Sequence, residues 1–476
     1  MPRALFRHSR VLTARLLLLV ACHFTSCLAA RVDCDPADPF CNPLATHLLY
    51  ARVDGSTSST RNILPGETVA LSESGATFDT YQITDGKGYV TRSGLFTASL
   101  SLDPTIVEAT APDGKREAIL VRTSHAPGNG TFGSEIATNV CANPAGLEVA
   151  DFNGDGWDDA AVACSAAGLA VLIGQGDGTF AVTADVSGGQ TILGVQTGDF
   201  NGDGIFDLAG AVSPTTTPGL QIFIGDGQGG FTAGVTATTT AGNKSSARLT
   251  RGDFDRDGIH DLTLFAMTSA VDQYRGTGDT TTLNVLSLGA YSPISSISLS
   301  AAEDFNGDGY IDIVTSQSPD IAFHPNTNGS FSGSSIVGGP GTTVQGIVPG
   351  DFNQDGNMDF AFNYSNQLEI FTGNGDGTFQ QITAITLSGS NPAGIDTADF
   401  NNDGHLDLAI AEGANDQIEV YLGQGNGGFQ GPFTYGNASS ITDPLFLHIG
   451  DFNNDGVVDL ILNSVTNTVH VLLGQS

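Results

Sequence analysis

The chain has few basic residues and no long apolar segment after its first thirty residues. Of its 476 residues, 17 are Lys or Arg and 51 are Asp or Glu, which gives a formal net charge of −34. Because such a chain repels polyanions, nucleic acid and anionic membrane surfaces are poor partners for it. No segment after residue 30 is apolar enough for a transmembrane helix, so we expect none in the mature protein.

The first thirty residues predict a targeting segment. A basic stretch up to Arg15 precedes the apolar run Leu16 to Cys22, and small residues near Ala29 offer a cleavage site. We therefore interpret residues 1–30 as a signal peptide and expect a secreted protein or a protein of the cell envelope. The alternative is a lipid anchor at Cys22, since the four residues that end there resemble a bacterial lipobox.

Cysteine is scarce, and four cysteines remain beyond Cys22 and Cys27 of the targeting segment. Four cysteines allow three pairings, and their spacing favours Cys34 with Cys41 and Cys141 with Cys164. An oxidising compartment makes disulfides the expected state. A zinc site is the rival interpretation, but the chain has no Cys-x-x-Cys pair to support it.

Two segments separate the targeting segment from the rest of the chain. Residues 31–47 form a lead-in segment, and residues 48–124 show short strand-like runs separated by turn signals, which predict a small β-sandwich. The run Ser93 to Ala98, the strand Ile106 to Thr110 and the turn Asp113-Gly114 resemble bacterial immunoglobulin-like domains of the Big type. That resemblance implies a spacer domain.

Residues 125–476 are built from a repeat. The nonapeptide Asp151 to Asp159 returns six more times, and the seven starts are 48, 54, 51, 47, 48 and 52 residues apart. The repeats after the first begin at Asp199, Asp253, Asp304, Asp351, Asp399 and Asp451. Because each unit of about fifty residues reads as four short strands, the segment predicts an all-β fold, a seven-bladed β-propeller.

The two ends of this segment predict how the ring closes. The last unit stops at Ser476, where the other units continue into a Gly-rich turn and a fourth strand. The missing piece stands at the front, as Gly128 to Phe132 followed by Ser134 to Ile136. We therefore expect residues 128–138 to supply the outer strand of the last blade and to remove its exposed edge.

Each nonapeptide has the composition of a calcium loop. Oxygen-bearing side chains stand at positions 1, 3, 5 and 9, position 6 is always Gly, and the variable position 7 is expected to bind through its backbone carbonyl. The prediction is Ca²⁺, up to seven ions. The predicted ligands are Asp151, Asn153, Asp155, Trp157, Asp159, Asp199, Asn201, Asp203, Ile205, Asp207, Asp253, Asp255, Asp257, Ile259, Asp261, Asp304, Asn306, Asp308, Tyr310, Asp312, Asp351, Asn353, Asp355, Asn357, Asp359, Asp399, Asn401, Asp403, His405, Asp407, Asp451, Asn453, Asp455, Val457 and Asp459.

An EF-hand is the main alternative for these loops, and it is not favoured. An EF-hand needs a bidentate acid at position 12, and no repeat has one there. The residues at that position are Val162, Gly210, Leu264, Thr315, Phe362, Ile410 and Leu462. Ligation is therefore expected to end at the Asp of position 9.

The Asp-Phe-Asn-x-Asp-Gly-x-x-Asp loops, together with Gly-rich turns that end in Phe, resemble FG-GAP/VCBS repeats. The resemblance covers residues 128–476 and implies a seven-bladed propeller of the integrin-alpha type with Ca²⁺ between the first two strands of a blade. The third and fourth units lack clean Gly-x-Phe turns, so their outer edges are less defined. In the third loop Asp255 replaces Asn and is expected to strengthen the site.

Two classes of function are consistent with the sequence. The first is a secreted or surface-associated, non-catalytic binding or adhesion module for an extracellular protein or glycan. The second is a secreted carbohydrate-active enzyme, a polysaccharide lyase or hydrolase that uses a propeller face. An enzyme needs a cluster of ionisable residues beyond the loops, and none stands out in the sequence, which favours binding.

Overall fold

The computed structural model describes residues 128–476 except 166–167, 184, 213–218, 239–247, 266–269, 279–283, 291–296, 318–319, 332 and 437–440. It also describes six strands nearer the N-terminus: Thr68–Ala70, Thr80–Asp85, Tyr89–Val90, Leu95–Thr97, Thr105–Thr110 and Arg116–Val121. These six form two three-stranded antiparallel sheets. The immunoglobulin-like sandwich stays a prediction. The targeting segment, the lead-in segment and the pair Cys34 and Cys41 lie outside the described residues.

The described residues from 128 onward form seven four-stranded antiparallel sheets, which we call blades 1 to 7. The strands of blades 1 to 3 are Pro144–Ala150, Asp159–Cys164, Gly168–Gly174, Phe180–Val182; Ile192–Gly198, Asp207–Val212, Gly219–Gly225, Phe231–Thr238; Arg248–Gly252, Asp261–Phe265, Ala270–Arg275, Asn284–Ala290. The strands of blades 4 to 6 are Ile297–Glu303, Asp312–Gln317, Asp320–His324, Ser335–Gly338; Gly346–Gly350, Asp359–Tyr364, Gln367–Gly373, Phe379–Thr386; Pro392–Ala398, Asp407–Glu412, Gln417–Gly423, Phe429–Tyr435. Blade 7 consists of Pro444–Gly450, Asp459–Ser464, Thr468–Leu472 and Ile136–Asn139.

The blades are arranged in a closed ring. The first strand of each blade contacts the first strand of the next blade, and the first strand of blade 7 contacts that of blade 1. The first strands therefore lie innermost, around a central channel. The prediction of an all-β, seven-bladed propeller is confirmed. The described part of the chain contains no candidate membrane-spanning helix.

Two widely separated parts of the chain meet in blade 7. The outer strand Ile136–Asn139 pairs antiparallel with Thr468–Leu472, and the short strand Thr131–Phe132 pairs with Gly474–Gln475. This pairing closes the ring with residues from its front. The disulfide Cys141–Cys164, one of the two expected pairs, joins the segment after the outer strand to the second strand of blade 1, with 5.9 Å between the two Cα atoms.

Blades 3 and 4 have complete outer strands although their turns depart from the repeat. Asn284–Ala290 pairs with Ala270–Arg275 in blade 3, and Ser335–Gly338 pairs with Asp320–His324 in blade 4. Blade 4 carries an additional hairpin of Asn326–Thr327 and Ser330–Phe331. The four-stranded blade is therefore intact although the Gly-x-Phe motif is missing.

Phenylalanine pairs connect neighbouring blades. The Phe at loop position 2 is buried in all seven repeats, with at most 3 % of its surface exposed. In six cases it meets, edge to face, the Phe that follows the turn of the next blade, with ring centres 5.2 to 5.9 Å apart. The pairs are Phe132 with Phe400, Phe180 with Phe452, Phe231 with Phe152, Phe331 with Phe254, Phe379 with Phe305 and Phe429 with Phe352. Such pairs contribute about 1 kcal/mol each beyond simple burial.

Phe132 tests the closure of the ring. It is 7 % exposed and packs edge to face on Phe400 and Tyr435. Phe132→Ala is expected to lower the free energy of unfolding by about 3 kcal/mol, because it leaves a cavity between blades 6 and 7. Urea unfolding measures the change. Phe433→Ala is the control, since Phe433 is 37 % exposed, and equal losses in the two variants would contradict this account.

Candidate metal centres

Each nonapeptide forms the loop between the first and second strands of its blade. Position 1 follows the end of the first strand, and the Asp of position 9 is the first residue of the second strand. Strands on both sides replace the two helices of an EF-hand, as the sequence indicates. The buried Phe at position 2 anchors the loop in the core between blades.

The short polar side chains turn inward and accept hydrogen bonds from the backbone of their own loop. In blade 6, the Asp399 carboxylate accepts the N–H groups of Asp403 at 3.0 Å and Gly404 at 2.7 Å. The Asn401 side-chain oxygen also accepts from Asp403, and the Asp403 carboxylate accepts from His405, both at 2.9 Å. These hydrogen bonds hold the side-chain oxygen atoms on the inner side of the loop.

Two positions of every loop have left-handed backbone. Position 6, always Gly, has φ between 78° and 90°, as its glycine predicts. Position 4 has φ between 55° and 78°, which sequence reasoning missed. The signal was present, because five of the seven residues there are Gly or Asn, the types that adopt this conformation most readily. The residues at position 4 are Gly154, Gly202, Arg256, Gly307, Gln354, Asn402 and Asn454.

The Asp of position 9 is fully buried in all seven loops and holds two parts of the blade together. In blade 6, one carboxylate oxygen of Asp407 accepts from the Phe400 N–H at 2.8 Å, within the loop. The other accepts from the Gly423 N–H at 2.7 Å, at the end of the third strand. The equivalent glycines that donate to position 9 are Gly174, Gly225, Gly276, Gly373 and Gly474.

These glycines were not identified from the sequence as part of the site. A Cβ on Gly423 would lie 2.1 Å from the backbone carbonyl oxygen of Leu406, at loop position 8. At the other five glycines, the corresponding distance to the position-8 oxygen is 2.1 to 2.6 Å. In blade 4, Asn326 takes the glycine's place and its N–H donates to Asp312 at 2.7 Å. The tight approach explains why a Gly lies at the end of the third strand, or one or two residues beyond it, in the other six blades.

Burial strongly perturbs the carboxyl of position 9. Burial raises the pKa of Asp407 to about 8, and the charges of Asp399 and Asp403 add to the rise. The same cause raises the pKa of the other six, to about 7 for Asp159, Asp312 and Asp359, about 8 for Asp207 and Asp459, and about 9 for Asp261. In every loop the carboxylates of positions 1 and 5 lie close enough to contribute, so the structure brings positions 1, 5 and 9 together.

The donor set fits a hard divalent cation. In blade 3, Asp253, Asp255 and Asp261 each offer a carboxylate oxygen, and these atoms lie within 4.8 Å of one another. In blade 4, Oδ2 of Asp312 is buried, and no described residue donates a hydrogen bond to it. Converging carboxylate and amide oxygens are the ligands that Ca²⁺ prefers. Calcium itself and the carbonyl ligands of position 7 stay predictions.

Asp158, at position 8 of the first loop, links two blades. Its side chain is 3 % exposed, and one oxygen accepts from the Asp451 N–H of the blade 7 loop at 2.8 Å. In blade 3, His260 at the same position accepts from the Asp199 N–H at 2.8 Å. This contact between consecutive loops was not predicted from the sequence.

The opposite end of the first strands surrounds a cavity of about 420 Å³. Its wall is mostly apolar and includes Leu193, Leu299 and Phe446, with His448 at its inner end. Nδ1 of His448 lies 3.4 Å from a carboxylate oxygen of Asp396. Burial by itself would lower the pKa of His448, but the hydrogen bond and charge of Asp396, together with the charge of Glu148 and a backbone hydrogen bond to Leu147, raise the pKa above its ordinary value. This cavity and the nonapeptide loops lie at opposite ends of the first strands.

Gly423→Ala tests the close approach at position 9. The new methyl group collides with the Leu406 carbonyl, so we expect a loss of about 2 kcal/mol in the free energy of unfolding, measured with urea. Gly133→Ala is the matched control, because its methyl group would meet no atom closer than 3.4 Å. A Gly423→Ala protein as stable as the control would show that the approach is not constrained.

Comparison with known proteins supports the fold. Residues 151–210, 304–362, 351–410 and 399–462 match the FG-GAP-like repeat family, whereas no curated protein matches the chain. The crystal structure of BBS1N in complex with ARL6DN aligns with 72 % of this chain and 96 % of its own, at 11 % identity and a TM-score of 0.51.

Two other solved structures are similar at lower scores. An Agrocybe aegerita protein, described as recognising non-reducing terminal N-acetylglucosamine, aligns with 81 % of this chain and 99 % of its own, at 16 % identity and a TM-score of 0.48. A Lactobacillus plantarum protein aligns with 71 % of this chain and 93 % of its own, at 15 % identity and a TM-score of 0.46. The family match and the ring of seven blades together identify the described ring as a β-propeller that carries FG-GAP-like repeats.

Proposed function

We propose that the protein is a secreted or surface-associated propeller that binds up to seven Ca²⁺ ions and acts as a non-catalytic binding module for an extracellular protein or glycan. One observation carries the calcium assignment. In all seven loops the carboxylates of positions 1 and 5 lie close to the carboxylate of position 9, which has no exposed surface. In the third loop, oxygens of three carboxylates lie within 4.8 Å of one another. FG-GAP repeats are typical of extracellular proteins, which supports the proposed location.

Calcium would act on stability in this proposal. A bound dication supplies the positive charge that the crowded carboxylates lack. Without it, each loop holds like charges in a partly buried site, which costs free energy in the folded state. Since Asp407 and its equivalents tie the loop to the third strand, relief of this repulsion stiffens the whole blade.

The central cavity supports binding over catalysis. It is mainly apolar, and His448 is the ionisable side chain among the described residues that line it. A polysaccharide lyase or hydrolase needs several ionisable groups that converge on one bond. The enzyme remains the second candidate, because a propeller face can carry such groups on its loops.

Calcium removal is expected to lower the melting temperature of the protein. In calorimetry, excess Ca²⁺ should raise the melting temperature over protein in EDTA, since a ligand that binds the folded state stabilises it. Asp407→Asn should bind one Ca²⁺ fewer by equilibrium dialysis and lose part of the shift. Asp376→Asn, which changes an exposed carboxylate outside the loops, is the control. Identical melting curves with EDTA and Ca²⁺ would refute the calcium proposal.

Partner binding is tested separately. A glycan array and a pull-down from the native extracellular milieu, both with Ca²⁺ present, are expected to identify a partner. Its binding should be saturable, and it should be released chemically unchanged. Heat-unfolded protein serves as the control for non-specific adhesion. Turnover of a polysaccharide, seen as new reducing ends or unsaturated products, would instead favour the enzyme.

A further inference from the structure

The third loop differs from the others in the residue at position 3, which lies next to the carboxylate of position 5. In five loops the side-chain amide of the Asn at position 3 donates to the Asp of position 5, at 2.8 to 3.0 Å. The five pairs are Asn153 with Asp155, Asn201 with Asp203, Asn353 with Asp355, Asn401 with Asp403 and Asn453 with Asp455. The Asp255 side chain has no N–H to donate, so it brings a fourth carboxylate instead of a donor.

Arg275, the last residue of the third strand of blade 3, supplies a positive charge beside this extra carboxylate. Its Nη1 lies 3.2 Å from Oδ2 of Asp255, while Oδ1 of Asp255 accepts from the Asp257 N–H at 3.2 Å. The two side chains are 28 % and 16 % exposed, so water screens their attraction less than on an open surface. The arginine therefore lies against a predicted calcium ligand.

The neighbouring blade fixes the guanidinium in this place. Nη2 of Arg275 donates to the carbonyl oxygen of Gly329, in the additional hairpin of blade 4, at 2.6 Å. Gly329 has φ +75°, and a Cβ there would lie 2.6 Å from Arg275 Nη2 and 2.7 Å from the Asp255 Cβ. A glycine at this point leaves room for the arginine between the hairpin and the third loop.

The distribution of basic residues singles out the same region. Between residues 128 and 476 the chain has five, all in blade 3 or just before it: Lys244, Arg248, Arg251, Arg256 and Arg275. Arg256 belongs to the third loop but extends to the fourth, where its guanidinium carbon lies 4.0 Å from the centre of the Tyr310 ring. Arg256→Gln therefore serves as a control, because it removes a positive charge from the third loop without removing the contact with Asp255.

We propose that Arg275 sets the affinity of the third loop for a divalent cation, an inference that rests on the proposed calcium function. At the predicted ligand positions, four carboxylates offset by the guanidinium of Arg275 give the third loop a charge of −3, which equals the charge of the three ligand carboxylates in each other loop. Arg275 also competes with the cation for Asp255. The extra aspartate expected to strengthen the site is therefore offset by the arginine, and the third loop binds in the range of the others.

Hydrogen–deuterium exchange of the full chain at increasing Ca²⁺ tests this loop by loop. Peptides that contain residues 253–261 report the third loop, and peptides that contain residues 399–407 report the sixth as an internal reference. Arg275→Gln should shift the calcium midpoint of the third loop to a roughly tenfold lower concentration, because it removes a competing charge. Asp255→Asn should shift it roughly tenfold higher, because the arginine then faces a loop of only three carboxylates.

The double variant Asp255→Asn/Arg275→Gln should return the third-loop midpoint to within about threefold of the wild-type value, as a coupled pair requires. Arg256→Gln should stay within the same range. An unchanged or higher calcium midpoint of the third loop in folded Arg275→Gln protein, with the sixth loop still protected by Ca²⁺, would overturn the proposed role of Arg275. The proposed calcium function would still stand. If Ca²⁺ protects neither loop in the wild-type protein, the proposed calcium function fails as well. Asp255→Asn keeps the shape of the side chain, so it tests the pair even if Arg275→Gln does not fold.

Discussion

The buried aspartate of position 9 is the constraint on which each blade depends. A carboxylate without solvent is costly unless hydrogen bonds or a cation compensate it. Asp407 accepts from Phe400 in its own loop and from Gly423 in the third strand, so one side chain of the second strand holds both the loop and the third strand. The requirement for Gly at the end of the third strand and the perturbed pKa of the aspartate follow from that single placement.

The blades depend on one another through the same loops. The N–H of Gly427, in the turn of blade 6, donates to the Phe352 carbonyl of the preceding loop at 2.9 Å, and Gly130 does the same to Phe400 at 3.1 Å. Each Phe of position 2 supports its own loop and, in six cases, pairs with a second aromatic ring from the next blade. The geometry of the loops and the packing of the blades therefore depend on the same residues, and a change in one loop alters the contacts of the neighbouring blade.

The repeated strands and loops could be predicted from the sequence. The contacts between residues that only the closed ring brings together could not. The period near fifty residues, the strand-like runs and the unpaired pieces at both ends were sufficient for the seven blades, because they are local patterns that the repeat amplifies. The Gly423 donor lies 16 residues from Asp407 and the Arg275 partner lies 20 residues from Asp255, each at the end of a third strand and outside the nonapeptide. The contact between Asp158 and Asp451 spans 293 residues, and only closure of the ring makes them neighbours. Contacts of this kind depend on three-dimensional register, which spacing within one repeat does not encode.

The disulfide Cys141–Cys164 has a mechanical consequence. A load applied to the chain before residue 128 acts first on the pairing of Thr131–Phe132 and then on the outer strand Ile136–Asn139 of blade 7. Peeling proceeds strand by strand from that edge until it reaches Cys141, where a covalent bond passes the force to the second strand of blade 1. That strand, Asp159–Cys164, is buried along its whole length. A pull from the N-terminal side therefore reaches blade 1 through a covalent bond once the outer strand of blade 7 has been peeled away.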